Sequence, residues 1–85
     1  MRAVFVMVKV EPGELRGVAD RFAELEVCSE IYSTAGDYDL LVKVYVQSFD
    51  ELADLVADRI QHIPHVRETK SILTFRTYKE PDRSR

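Results

Sequence analysis

The chain has 85 residues, of which 12 are lysine or arginine and 15 are aspartate or glutamate, giving a net charge of −3 at pH 7. This length accommodates one domain with a small core, so association between copies is expected. The balanced charge lacks the basic patch of a nucleic-acid-binding protein, and the single cysteine, Cys28, excludes an intramolecular disulfide and argues against a cysteine-based metal site. With no long apolar stretch or cleavable leader, neither a membrane contact nor secretion is expected, and the cytoplasm is the expected location.

The first half of the chain predicts a strand, a helix and a second strand. Residues 3–10, AVFVMVKV, are rich in β-branched residues and too few for a buried helix, so they predict a strand. Pro12 is expected at the first position of the following helix, because proline lacks the N–H that this position leaves unpaired. Residues 27–34 predict the returning strand. The apolar residues of the helix keep helical spacing: Leu15, Val18, Ala19, Phe22 and Leu25.

The second half of the chain repeats this pattern. Residues 38–46, YDLLVKVYV, predict a third strand, and Ser48 with Glu51 forms the capping-box pattern of a helix start. Pro64 is expected to end this second helix, since proline cannot continue the hydrogen-bond ladder. The last strand is predicted over residues 66–78.

An internal repeat supports this organisation. Residues 18–21 and 56–59 are the same tetrapeptide, VADR, at an offset of 38 residues, and valines upstream of it superimpose at the same offset. Two strand-helix-strand units in the order βαββαβ predict an α+β, ferredoxin-like sandwich, with one four-stranded antiparallel sheet carrying both helices on one face. The domain is expected over residues 1–78. Residues 79–85 are expected to form a solvated, flexible tail rather than a phosphate contact.

The two inner strands predict two different sheet faces. One row of alternate residues is expected beneath the helices: Val4, Val6, Val8 and Val10 with Leu40, Val42, Val44 and Val46. The other row is too apolar for water and is expected to pack on a second copy of the sheet: Ala3, Phe5, Met7 and Lys9 with Leu41, Lys43 and Tyr45. The alternation in the last strand does not decide which of its residues face the helices.

The segment TAGDYDLL, residues 34–41, joins the second and third strands. Gly36 can take positive φ, and aspartates such as Asp37 and Asp39 bond back to nearby N–H groups, so these residues predict a tight turn. A catalytic carboxylate pair is not expected, because nothing apolar nearby would raise one pKa. Calcium needs six to eight oxygens, which this short segment does not supply.

The remaining candidate residues have structural interpretations. His62 and His65 straddle Pro64, so their rings would not share a helix face, and two ligands are too few for a closed metal site. Cys28 is expected to pack as a small apolar residue. No phosphate loop, dinucleotide fingerprint or hydrolase triad is present, so no cofactor, catalytic residue or metal is predicted. Three tyrosines are expected to pack on a partner or to line a small-molecule pocket, and the negative charge opposes a nucleic-acid platform: Tyr32, Tyr38 and Tyr45.

Three segments in order resemble one known domain. Residues 33–44, STAGDYDLLVKV, resemble the characteristic segment of the effector domain of leucine-responsive/AsnC (Lrp/AsnC) transcription regulators, the regulation-of-amino-acid-metabolism (RAM) domain. Residues 6–15, VMVKVEPGEL, are similar to its first strand and helix entry, and residues 63–77, IPHVRETKSILTFRT, to its last strand. The resemblance covers residues 3–78.

The resemblance implies a domain that pairs through its sheet and assembles into octamers or similar rings. It also implies an amino-acid effector bound between dimers, near a Thr-x-Thr element that is Thr69-Lys70-Ser71 in this chain, where serine keeps the hydroxyl and loses a methyl group. The implied ligand contacts are Gly36, Asp37, Tyr38, Asp39, Thr69 and Ser71. Loop N–H groups around Gly36 could bind the effector carboxylate, and Asp37 or Asp39 its ammonium.

Family regulators carry a helix-turn-helix domain before this domain, and this chain begins at the first effector strand. We therefore expect a stand-alone form that cannot read DNA by itself. The first hypothesis is a non-enzymatic amino-acid-sensing and oligomerisation module in transcriptional regulation, which joins full-length regulators of the family. The alternatives are a small dimeric α/β-barrel enzyme of monooxygenase or isomerase type, which needs a polar pocket between helices and sheet, and a purely structural dimerisation module.

Overall fold

A computed structural model of the chain describes residues 1–80. The predicted tail lies outside the described residues from residue 81 onward. Across the described part of the chain, no helix has the length and apolar character needed to cross a membrane. Six main elements follow one another: β1 (Arg2–Val10), α1 (Leu15–Ala23), β2 (Cys28–Ser33), β3 (Leu40–Val46), α2 (Phe49–Asp54) and β4 (Val66–Leu73).

The four strands form one antiparallel sheet in the order β2-β3-β1-β4. The two strands that the repeat relates, β1 and β3, lie side by side in the middle, and β2 and β4 lie at the edges. This is the topology of two interleaved strand-helix-strand units. The predicted ferredoxin-like βαββαβ fold is confirmed.

The core lies between the sheet and the helices. Val4, Val6 and Val8 of β1 have no exposed surface, and the facing residues of β3 are equally buried. Phe22 of α1 and Ile60 close the core from the helical side. Each of these side chains contributes about 1.5–3 kcal/mol by leaving water, and no buried side chain among residues 1–80 is polar or charged. The predicted inner row is confirmed.

The entry to α1 differs from the prediction. Pro12 and Gly13 form the middle of a turn in which the Glu14 N–H donates to the Glu11 carbonyl oxygen over 3.1 Å, and the helix begins at Leu15. Gly13 has a φ of +83°, which no right-handed helical residue adopts. Proline before a positive-φ glycine favours a type II turn, so the prediction of Pro12 as the first helical residue is wrong.

The start and end of the second helix agree with the prediction. The Glu51 N–H donates to Ser48 Oγ over 3.1 Å, and the Glu51 carboxylate accepts from the Gln47 N–H over 2.7 Å. Beyond α2 the chain continues as a π-helical turn over Leu55–Arg59 and a 3₁₀ turn over Ile60–His62, which ends just before Pro64. The second copy of VADR therefore has a wider helical turn than the first copy in α1.

The last strand is shorter than predicted. β4 ends at Leu73 rather than at residue 78, where Leu73 pairs with Val4, two residues from the start of β1. Immediately beyond, Thr74 Oγ1 donates to the Ala3 carbonyl oxygen over 2.8 Å. The pairing also settles the faces of β4. Opposed residues share a face, so Thr69 and Ser71, which oppose buried valines, lie on the helix side.

Candidate functional site

The loop between β2 and β3 is a compact connection, as its residues predict. Gly36 has a φ of +104°, a conformation that strains any other residue. Thr34 closes the loop twice: its N–H donates to the Asp39 carbonyl oxygen over 3.0 Å, and its Oγ1 donates to the Tyr38 carbonyl oxygen over 2.9 Å. Gly36 and Asp37 at the tip are exposed to solvent. The two hydrogen bonds of Thr34 therefore hold the ends of the loop together, and the tip is exposed to solvent.

Asp39 fastens this loop to the central strand. Its N–H donates to the Val8 carbonyl oxygen and its Oδ2 accepts from the Val10 N–H, both over 2.8 Å. The register of β1 against β4 shifts between Lys9 and Val10, so the carboxylate supplies an acceptor at an irregular point of the sheet. One oxygen of this predicted ligand contact thus has a structural partner within the subunit.

Tyr38 crosses the central strand and reaches the edge strand β4. Its hydroxyl donates to Glu68 Oε2 over 2.9 Å, and the Lys9 ammonium lies over its ring, 5.4 Å from the ring centre. The hydrogen bond to Glu68 raises the pKa of Tyr38, because the ionised phenolate has no proton to donate. Lys9 and Glu68 are sequence-distant, so only the strand register could have indicated that they contact the same tyrosine.

The structure does not bring all six predicted ligand contacts together in one subunit. Thr69 and Ser71 lie on the helix side of β4, whereas Tyr38 reaches Glu68 on the open side. Thr69 lines a cavity of about 210 Å³ with Gln61, Val66, Arg67 and Glu68. The loop and the start of β4 thus form a rim at one end of the sheet, which we call the loop rim: residues 36–39, Lys9 and 68–71.

Another cavity, of about 580 Å³, lies between α1 and the β2 side of the sheet. Its lining is mainly apolar, with one arginine and one aspartate and no histidine: Leu15, Arg16, Ala19, Asp20, Ala23, Ile31, Ser33 and Leu40. The enzyme alternative requires a polar pocket between helices and sheet. This cavity is mainly apolar, and buried valines line the sheet beneath the rest of the helical layer.

The sheet face away from the helices, which we call the open face, is largely apolar. Phe5, Met7, Leu41 and Tyr45 are only half-buried there, and Tyr32 and Ile72 are 52% and 42% exposed. Lys43 is its central charge: the ammonium lies 3.3 Å from Glu30 Oε2 and over the rings of Phe5 and Tyr45. The face combines a large apolar area with a locally neutralised charge, as an association surface does.

The contacts of Glu30 on this face make the stability of the protein depend on pH in the acid range. Its carboxylate accepts a hydrogen bond from the Tyr32 hydroxyl and pairs with Lys43, and both lower the pKa of Glu30 from its ordinary value of 4.5. Its contribution to stability is therefore complete above about pH 4.5 and is lost as the pH falls through the lowered value. We expect the melting temperature of the wild type to fall more steeply below pH 4.5 than that of Glu30→Gln. Scanning calorimetry from pH 7 to pH 3 measures this, and parallel curves would contradict it.

A histidine contact that the sequence does not indicate joins the two halves. His65 Nδ1 lies 3.2 Å from Glu11 Oε2 and Nε2 lies 3.9 Å from Glu14 Oε2, while the Glu11 N–H donates to the His65 carbonyl oxygen over 3.0 Å. The residues are too far apart in sequence for spacing to reveal the contact. It fastens the turn before α1 to the entry of β4. Cys28 packs against the edge of the core, as predicted, and burial raises the pKa of its thiol.

Comparisons with known proteins agree with this geometry. The family model for the Lrp/AsnC ligand-binding domain matches residues 3–84. The chain is 37% identical over 76 residues to the HTH-type transcriptional regulator FL11 of Pyrococcus horikoshii. The match covers 89% of this chain and 50% of that regulator. It thus spans about half the length of the curated relatives it matches.

Solved structures show the same fold. The crystal structure of TTHA0845 from Thermus thermophilus superimposes with a TM-score of 0.87 at 31% identity, over 94% of this chain and all of that one. The transcriptional regulator NMB0573 of Neisseria meningitidis, solved as its L-Met complex, superimposes with a TM-score of 0.86 at 15% identity, over 93% of this chain and 53% of that one. The family match and the βαββαβ sheet lead to one conclusion: this chain belongs to the Lrp/AsnC family and forms its ligand-binding domain.

Proposed function

We propose that the protein is a non-enzymatic amino-acid-sensing module that self-associates and acts in transcriptional regulation of amino-acid metabolism. The observation that carries this proposal is the match of nearly the whole chain to a ligand-binding domain. The relatives are named as transcriptional regulators, and one of the solved structures of this fold holds L-Met. The relatives named as regulators favour this function over the enzyme alternative, and the cavity between α1 and the sheet is mainly apolar and has no histidine in its lining.

The proposed ligand site is the loop rim, completed by a neighbouring subunit. Its contacts are the six residues that the family resemblance implies: Gly36, Asp37, Tyr38, Asp39, Thr69 and Ser71. Exposed N–H groups around Gly36 would bind the α-carboxylate, and rim carboxylates the α-ammonium. Because Thr69 and Ser71 lie on the other side of β4 from Tyr38, a shared site lets two subunits contribute different contacts to one ligand.

The proposed assembly is a homodimer formed through the open face, which then builds an octamer or a similar ring. The apolar residues of this face are half-buried or exposed, and covering them removes surface that a small domain cannot hide alone. A ligand held between subunits prefers one assembly, so its binding shifts the population toward that assembly. Ligand binding and subunit association would then be coupled, so that each changes the equilibrium of the other.

The proposed partners are full-length Lrp/AsnC regulators, which carry the same domain. Mixed assembly through the open face or the loop rim would let this chain change the assembly of a DNA-bound regulator. The net charge of −3 gives the chain itself no electrostatic attraction to DNA. We place the protein in the cytoplasm, in the same compartment as such regulators.

A thermal-shift panel of the twenty L-amino acids tests sensing. A ligand at about 100 times its Kd stabilises the folded state by about 2.7 kcal/mol, which raises the melting temperature of a domain of this size by about 10 °C or more. We expect such a rise for at least one amino acid. Flat curves for all twenty would contradict the proposal and leave the structural dimerisation module.

Gly36→Val is the matching loss-of-binding variant. The φ of +104° strains valine, so the loop must rearrange and the ligand-induced rise should disappear. Gly17→Val is the control, because a side chain there points into open space on α1, away from the loop. A retained rise in Gly36→Val would place the ligand elsewhere.

A further inference from the structure

We propose that Lys9 and Glu68, which flank Tyr38 at the loop rim, are the charged pair that recognises the α-carboxylate and the α-ammonium of a free amino acid. This inference rests on the proposed function and goes beyond the six contacts that the family resemblance implies. It gives each charge of the zwitterion one charged partner: Lys9 for the carboxylate, beside the N–H groups around Gly36, and Glu68 for the ammonium. The assignment follows from geometry within one subunit.

Strand register places the two charges side by side. Lys9 of β1 and Glu68 of β4 are direct cross-strand partners on the open side of the sheet. Opposite charges in such a pair normally contact each other. Here Tyr38 lies between them: its ring is under the Lys9 ammonium and its hydroxyl bonds to Glu68. Lys9 forms no ion pair with a carboxylate of residues 1–80.

The pair lies at the loop end of the open side, at the rim where a neighbouring subunit completes the proposed ligand site, and the two charges do not neutralise each other. Lys9 makes only a cation–π contact with the ring of Tyr38, and at an exposed site this contact is weaker than an ion pair with a carboxylate. Glu68 accepts a neutral hydroxyl, which an ammonium with three donors and a full charge can replace or join. A ligand with an anion and a cation two bonds apart satisfies both. An amine or a carboxylic acid alone satisfies one.

Other carboxylates of the rim are less suited to the ammonium. Asp39 already accepts the Val10 N–H, and Asp37 lies at the exposed tip, where no hydrogen bond from residues 1–80 orients its carboxylate. Glu68 has its carboxylate oriented by Tyr38 and rises from a paired strand. Preorganised groups lose less entropy on binding, so Glu68 is the stronger acceptor.

The test compares matched ligands on matched variants. The probes are the twenty L-amino acids, and for each one that binds, its α-amide and its N-acetyl derivative, measured by calorimetric titration of the full chain. In the wild type, both derivatives are expected to bind at least about tenfold more weakly than the free amino acid. In Glu68→Gln the free amino acid should weaken by about tenfold, and N-acetylation should cause little further loss. In Lys9→Met the free amino acid should also weaken by about tenfold, and amidation should cause little further loss.

Two control variants each remove one exposed charge from the helical layer, away from the loop rim. Asp54→Asn removes a carboxylate of α2, and Arg21→Met removes a guanidinium group of α1. Both are expected to bind the free amino acid within about twofold of the wild type. Unchanged affinity in Glu68→Gln or Lys9→Met would overturn this inference while leaving amino-acid sensing intact. If the wild type binds none of the twenty, the proposed function fails and this inference fails with it.

Discussion

Leu41→Glu is expected to weaken the association of subunits through the open face. Leu41 lies in the middle of the open face, opposed by Met7 on one side and Tyr32 on the other. If two open faces pack together, the substitution buries one unpaired carboxylate in each subunit, at a cost of several kcal/mol. The association constant should fall by about a hundredfold or more. Sedimentation equilibrium at micromolar concentration measures it.

Leu15→Glu is the matched control for this experiment. Leu15 is 38% exposed at the start of α1, on the helical layer, so the same change there adds the same charge away from the open face. It should leave the subunit number unchanged. A Leu41→Glu variant that keeps the wild-type mass would show that association uses another surface.

Replacing Asp39 with alanine is expected to lower the free energy of unfolding by about 2 kcal/mol before any ligand is added. The variant leaves the half-buried Val10 N–H without its acceptor at the irregular point of β1. The loss of a hydrogen bond to a charged acceptor costs about 1.5–3 kcal/mol. The melting temperature should fall by roughly 10 °C, since a domain of this size shifts by about 4–8 °C per kcal/mol. Urea unfolding measures the free energy directly.

Two variants separate this structural contribution from ligand binding. Asp39→Asn keeps a side-chain oxygen for the Val10 N–H and should recover most of the stability. Asp37→Ala, at the exposed tip, should change stability by less than about 0.5 kcal/mol. If Asp39→Ala unfolds at the same urea concentration as the wild type, the bond to Val10 contributes nothing. A loss of ligand binding in that variant would then belong to the ligand contact alone.

The sequence pattern predicts most of this fold because the alternation of apolar residues is clearest in the strands that form the core. Alternating valines in β1 and the repeated texture in β3 place one row of each strand in the core, and the structure buries both rows. The 38-residue repeat then fixes the order of the elements. The prediction is wrong where one residue type favours two different local structures. Pro12 suits a first helical turn, but the positive φ of Gly13 made it part of a type II turn.

The candidate site was only partly predictable, because its contacts depend on strand register. The composition of TAGDYDLL predicts a turn, and a turn forms. The partners of its side chains are Val10 for Asp39 and Glu68 for Tyr38, which no local rule reveals. The faces of β4 were equally ambiguous until the pairing of Ser71 with Val6 set them.

The most direct test of the account is static light scattering on the wild type with each of the twenty L-amino acids in turn. Sensing through sites shared between subunits predicts that at least one amino acid shifts the weight-average mass toward that of a larger or smaller assembly of dimers, while most leave it unchanged. An identical mass in all twenty solutions and in plain buffer would contradict the coupling of ligand binding to assembly.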